Sequence, residues 1–144
     1  LEGISITSLN IIGALSQNIP SIFIDDMRWI RIDNSSEYSH WGTYTSIPYD
    51  SLSASTSWNE ISWTESGTGT LYFRIRTANT QQNLKQAIWV GNDGTSNTYY
   101  STEAGEAIVT HASATGTKWI QWKAYFSGDG TTTPVLEDIT ISYE

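Results

Sequence analysis

The chain has no cysteine among its 144 residues and only three prolines, and charged residues make up 15% of it, seven Lys and Arg against fifteen Asp and Glu. Without thiols there is no disulfide scaffold, no thiol nucleophile and no thiolate metal site. No run approaches the ~18 consecutive apolar residues of a membrane-spanning helix, so no membrane insertion of this segment is expected. A net charge of −8 has the wrong sign for wrapping phosphates, which argues against nucleic acid as a partner. Soluble domains average about 25% charged residues. Here 19 Ser and 19 Thr solvate the surface instead.

What the chain does have is aromatic residues: 7 Trp, 8 Tyr and 3 Phe. Disordered chains lack such a load. The length suits one domain of residues 1–144. A fold of this size buries about 68–70% of the surface its unfolded chain exposes, enough for a core without staples. The first residues, Leu1-Glu2-Gly3, include no initiator Met and none of the basic and apolar regions of a signal peptide, as expected of a segment cut from a longer protein.

Strand signals dominate. Over 71–76, Leu71, Phe73 and Ile75 alternate with Tyr72, Arg74 and Arg76. Over 119–126, Ile120, Trp122, Ala124 and Phe126 alternate with Trp119, Gln121, Lys123 and Tyr125, so both strands present a polar and aromatic outward side. Further strands are expected at 4–8, 22–32, 42–48, 58–64, 86–90, 107–110 and 135–143. They are separated by turn clusters such as Gly91-Asn92-Asp93-Gly94 and Ser127-Gly128-Asp129-Gly130. No helix is expected beyond a short turn at 8–16 or 103–108. This spacing points to an all-β antiparallel sandwich or barrel, with 1–41 the least defined part.

From residue 42 onward the order of features is similar to a known module. Gly42-Thr43-Tyr44-Thr45-Ser46 is followed by Trp58-Asn59-Glu60-Ile61-Ser62-Trp63, by the strand ending in Ala78-Asn79-Thr80, by Lys118-Trp119-Ile120-Gln121-Trp122-Lys123-Ala124, and by Thr133-Pro134-Val135-Leu136-Glu137-Asp138-Ile139-Thr140-Ile141. These segments resemble the galactose-binding-like jelly-roll modules of bacterial and archaeal surface proteins. The resemblance implies a jelly-roll sandwich and an extracellular or cell-surface setting. It also implies a carbohydrate-binding or adhesive role beside neighbouring domains of a longer chain. Fold resemblance does not supply function without a site.

The candidate ligand-binding residues are Tyr72, Arg74, Arg76, Trp119, Gln121, Lys123 and Tyr125, provided the two strands are neighbours. Sugars are held in this way, with a ring face against pyranose C–H groups and forked polar side chains on the hydroxyls. Arg74, Arg76, Lys118 and Lys123 would make one local positive patch that, with rings interleaved, suits an acidic sugar or a single strand of nucleic acid, the second disfavoured by a total of only seven basic residues. The competing reading is that the same rings form cross-strand pairs that only stabilise the sheet, or lie under the N-terminal forty residues. Trp41 and Trp89 are further candidates. No cofactor is expected apart from the option of a structural calcium carried by the resemblance, with Asp25, Asp26, Asp33, Asp93 and Asp129 as candidate ligands. The two histidines, His40 and His111, are too few for a zinc site.

Catalysis lacks a pattern. No Gly-x-Ser-x-Gly elbow occurs, and Glu60, Glu65, Glu103, Glu106 and Glu137 offer no preferred pair for glycoside hydrolysis. The expected function is therefore a non-catalytic carbohydrate-binding module of a larger extracellular protein. The alternative is a structural or adhesive domain acting through protein–protein packing in a cell-surface assembly.

Overall fold

A computed structural model describes residues 41–114, 116–129 and 131–144. The strands expected at 4–8 and 22–32, with Asp25, Asp26, Asp33 and His40, lie outside the described residues. The elements in chain order are β1 (Trp41–Thr45), β2 (Tyr49–Asp50), β3 (Trp58–Gly67), β4 (Thr70–Ala78), the single helical turn α1 (Gln81–Leu84), β5 (Glu106–Ala107), β6 (Trp119–Ser127) and β7 (Pro134–Tyr143).

Two antiparallel sheets pack face to face as a β-sandwich. In the first, β6 has β4 on one side and β1 and β2 on the other. In the second, β3 is flanked by β5 and β7. The alternation over 71–76 is realised, because Leu71, Phe73 and Ile75 are each 1% exposed or less. Burial of such a side chain contributes about 1.5–3 kcal/mol. Ile120, Ala124 and Phe126 of β6 join them, while Trp122 is partly buried against the rings of Phe73 and Tyr44. Trp63 of β3 reaches across the layers to within 4.6 Å of Phe73, centroid to centroid.

β3 does not keep a strict period of two. Trp58 and Ile61, three residues apart, both point into the core. A register shift between Trp58 and Glu60 in the pairing with β7 inserts the extra residue that makes this possible. At the same end of the sandwich the Tyr49 and Tyr143 hydroxyls meet at 2.6 Å, tying β2 of one sheet to β7 of the other. The Trp58 indole N–H donates to the Thr117 carbonyl at 2.6 Å.

The structure departs from the sequence expectation between β4 and β6. Residues 86–90 form no strand; only Val90 pairs, as a single bridge to Ile75. Residues 107–110 contribute only the end of the two-residue β5. The one helical turn among the described residues is α1, which the sequence did not announce, and Thr80 caps it by accepting from the Asn83 N–H at 3.1 Å. Polar Gln and Asn fill three of its four positions and Leu84 alone is buried, so there is no apolar period to read.

Candidate functional site

The register of β4 and β6 sets Tyr72 opposite Tyr125, Arg74 opposite Lys123 and Arg76 opposite Gln121. These are direct cross-strand neighbours on the outer face of the first sheet, where facing Cβ atoms stand about 4.5–5.5 Å apart. Trp119 faces Ala78 and Asp50 instead. It lies six residues from Tyr125, about 20 Å along the strand. The face is therefore long, with Trp119 at one end and the tyrosines at the other.

Two further rings come from the segment that runs along the free side of β4. Val90 bridges Ile75 and Tyr100 bridges Phe73, each through a pair of backbone hydrogen bonds of 2.8–2.9 Å, and both side chains are buried. Because backbone direction alternates, the residues just before them, Trp89 and Tyr99, turn to the outer face. Gly91 permits the return of the chain between them. A Cβ at that position would lie 2.2 Å from the Thr98 carbonyl carbon, so only glycine lets the two backbones touch. Trp89 stood among the sequence candidates, but Tyr99 did not, since it belongs to no alternating run.

The rings and cations interleave. The Arg74 guanidinium lies 3.9 Å from the Tyr99 centroid and 5.7 Å from that of Tyr125, and its Nε donates to the Thr98 carbonyl at 2.9 Å. The Arg76 guanidinium lies 4.4 Å, and the Lys123 ammonium 4.8 Å, from the Trp89 ring. Tyr99 also meets Tyr72 at 5.7 Å and Tyr125 edge-on at 5.1 Å. Burial pushes the Tyr125 hydroxyl above its ordinary pKa, and the neighbouring Arg74 works against that rise. Both cation–π contact and aromatic pairing add about 0.5–1 kcal/mol per pair at partly exposed sites.

Gln121 is on the outward phase yet only 5% exposed. Its amide oxygen accepts from Arg76 Nε at 2.9 Å and Nη2 at 2.6 Å, and its amide nitrogen donates to the Ser46 carbonyl. Arg76 also donates from Nη1 to the Lys85 carbonyl at 3.0 Å. Gln121 and Arg76 thus form a braced unit beneath the face.

The charge of this face is opposite to that of the whole chain. Three of the five Lys and Arg among the described residues are on it, and β1, β4 and β6 contain no Asp or Glu. Asp50 on β2 is committed to Lys118 at 3.5 Å. The glutamates considered for hydrolysis lie on β3, β5 and β7 or in the loop before β5. The Glu65 carboxylate accepts from the Trp63 indole at 3.0 Å. Burial tends to raise the Glu106 pKa, but donors from Asn92, Ser101 and Thr102 outweigh it and hold the group below its usual range.

Asp93 and Asp129 act as turn caps. Asp93 accepts from the Thr98 hydroxyl and the Thr95 N–H, Asp129 from the hydroxyls and N–H groups of Thr131 and Thr132; those donors lower the Asp93 pKa and hold Asp129 well below the usual carboxylate range. Among the described residues no group of three or more His, Asp and Glu is placed to hold a metal. The His111 ring nitrogen contacts the Ser113 hydroxyl at 2.7 Å within a turn. No helix among the described residues is long and apolar enough to cross a membrane. Comparison with protein-family models, with curated proteins and with solved structures returns no match.

Proposed function

We propose that the chain is a non-catalytic carbohydrate-binding module of a larger extracellular or cell-surface protein, a jelly roll of the galactose-binding-like kind, and that glycan lies along the outer face of β4 and β6. The observation that carries this reading is the direct register of Tyr72 with Tyr125, Arg74 with Lys123 and Arg76 with Gln121, joined by Tyr99 and Trp89 from the flanking segment. Flat rings beside fixed donors are the combination that sugar recognition uses. In this reading Tyr72, Tyr125 and Trp119 provide ring surface, Arg74 and Lys123 provide donors, and Gln121 with Arg76 holds the sheet surface rigid.

Affinity electrophoresis through gels containing soluble polysaccharides tests it. The intact chain should be retarded by at least one glycan, and a Tyr72→Ala/Tyr125→Ala variant of unchanged fold should run freely. Free migration in every polysaccharide would overturn the proposal.

A second reading, a structural or adhesive domain, has its own support in Ile47 and Leu52, which are 84% and 83% exposed beside the β2 edge. It requires partner binding that Ile47→Ser weakens and that Tyr72→Ala/Tyr125→Ala leaves intact.

A further inference from the structure

Like charges set directly opposite each other in a sheet are destabilising. The cross-strand pair Arg74 and Lys123 is such an arrangement, with Arg76 two residues along the same strand. Rings of Tyr99, Tyr125 and Trp89 stand against these cations and offset part of the repulsion. Arg74 makes no ion pair among the described residues. Its Nε is engaged by the Thr98 carbonyl and one face of the guanidinium by Tyr99. The Tyr125 hydroxyl is a further hydrogen-bond partner of the guanidinium, so what the group has left to offer is the terminal N–H groups turned away from that hydroxyl.

From this we infer that the face selects a glycan carrying uronic acid, with the Arg74 guanidinium receiving the carboxylate and Lys123 adding positive charge from across the strand pair. The inference rests on the glycan reading above and names its ligand class. A planar guanidinium fork matches a planar carboxylate through two parallel hydrogen bonds, which an ammonium cannot do. Clamping by Tyr99 and Thr98 fixes that fork before the ligand arrives, so little side-chain freedom is lost on binding. The same features disfavour a dense phosphate polymer. A chain of net charge −8 repels it at long range, whereas one carboxylate on a ring of otherwise neutral hydroxyls is met locally.

Calorimetry with a galacturonic-acid trimer and its methyl-esterified counterpart tests this on the intact chain, since the two probes share the sugar backbone and differ in whether the carboxyl group is ionised or capped by a methyl. The acid is expected to bind about tenfold tighter than the ester, the order of one charge-assisted hydrogen bond, and to lose most of that margin on raising the salt. Arg74→Gln should bring the two affinities together, because the acid loses more than the ester does. Arg74→Lys, which keeps the charge and removes the fork, should lose a large part of the preference, and a thermal melt of each variant reports whether it is folded. Equal binding of acid and ester by the intact chain would overturn the uronate assignment while the glycan reading stands. Tighter binding of a sulfated trisaccharide or of an oligothymidylate than of the acid would overturn it too. Absence of binding to these probes together with free migration in every polysaccharide gel would remove both.

Discussion

The Arg74 guanidinium carbon stands 3.9 Å from the centre of the Tyr99 ring, although the two residues are far apart in sequence and belong to no common strand. The contact exists because Tyr100 pairs with Phe73 and turns its predecessor outward. A buried bridge therefore places an outward-facing, half-buried ring. The packing of the core and the composition of the outer face of β4 and β6 are set by the same backbone hydrogen bonds.

Gly91 is the position at which this coupling is most easily broken. A methyl group there meets the Thr98–Tyr99 backbone at 2.2–2.3 Å, and the obstacle is main chain that cannot rotate away. Gly91→Ala should cost about 1–3 kcal/mol, the range of overpacking in a tight site. It should also displace Tyr99 and lower glycan affinity. Urea unfolding gives the first effect and affinity electrophoresis the second.

Trp63 joins the two layers, at 4% exposure and 4.6 Å from Phe73. Trp63→Ala should cost about 3–5 kcal/mol, a large part of the 5–15 kcal/mol typical of a domain. Chemical denaturation is expected to show a midpoint far below that of the parent. An unchanged midpoint would mean that the layers do not meet through this ring.

Much of this arrangement was legible in the sequence, and the rest was hidden for physical reasons. Strict alternation over 71–76 and 119–126 gave both the buried set and the outward set, since a period of two is what a half-buried strand requires. That these two strands are neighbours depended on pairing, which no local pattern encodes. The inward pairing of Trp58 and Ile61 needs a bulge, which breaks the period that reveals strands. Tyr99 was missed because a single bridge, and not a run, orients it. Gln121 shows that outward phase is not exposure: Arg76 and the Ser46 carbonyl cover its amide. Asp93 and Asp129 read equally as turn residues or cation ligands in the sequence, and their donors here are Thr hydroxyls and backbone N–H groups.

Leu52 adopts φ of 66°, the one non-glycine residue at positive φ among those described, and its side chain is 83% exposed. A left-handed backbone costs a residue such as leucine roughly 1–2 kcal/mol, while asparagine tolerates it. Leu52→Asn should therefore stabilise the fold by about 0.5–1 kcal/mol, read as a rise in melting temperature. A fall would show that the leucine side chain contributes packing.

Burial pushes the Tyr100 hydroxyl pKa up to about 12 from an ordinary 10. Between those values the unfolded chain loses the phenolic proton first, so the folded state binds more protons and stability must fall as pH rises from about 10 toward 12. The contribution is fully present below pH 10. Tyr100→Phe should flatten this alkaline decline. It should also lower stability at neutral pH by about 1–3 kcal/mol, because the hydroxyl that accepts from the Val109 N–H and donates to the Val109 carbonyl is gone. Unfolding monitored from pH 8 to 11.5 checks both effects.

The central claim, that the outer face of β4 and β6 receives glycan, is tested most directly by residue-resolved nuclear magnetic resonance. A 15N-labelled chain titrated with an oligosaccharide found by gel retardation should shift the backbone amides of 72–76 and 121–125 together with the Trp89 indole and the Tyr99 amide. Amides of β3 and β7 should stay in place. Shifts confined to the β3–β7 sheet, or to the edge near Ile47 and Leu52, would contradict the account.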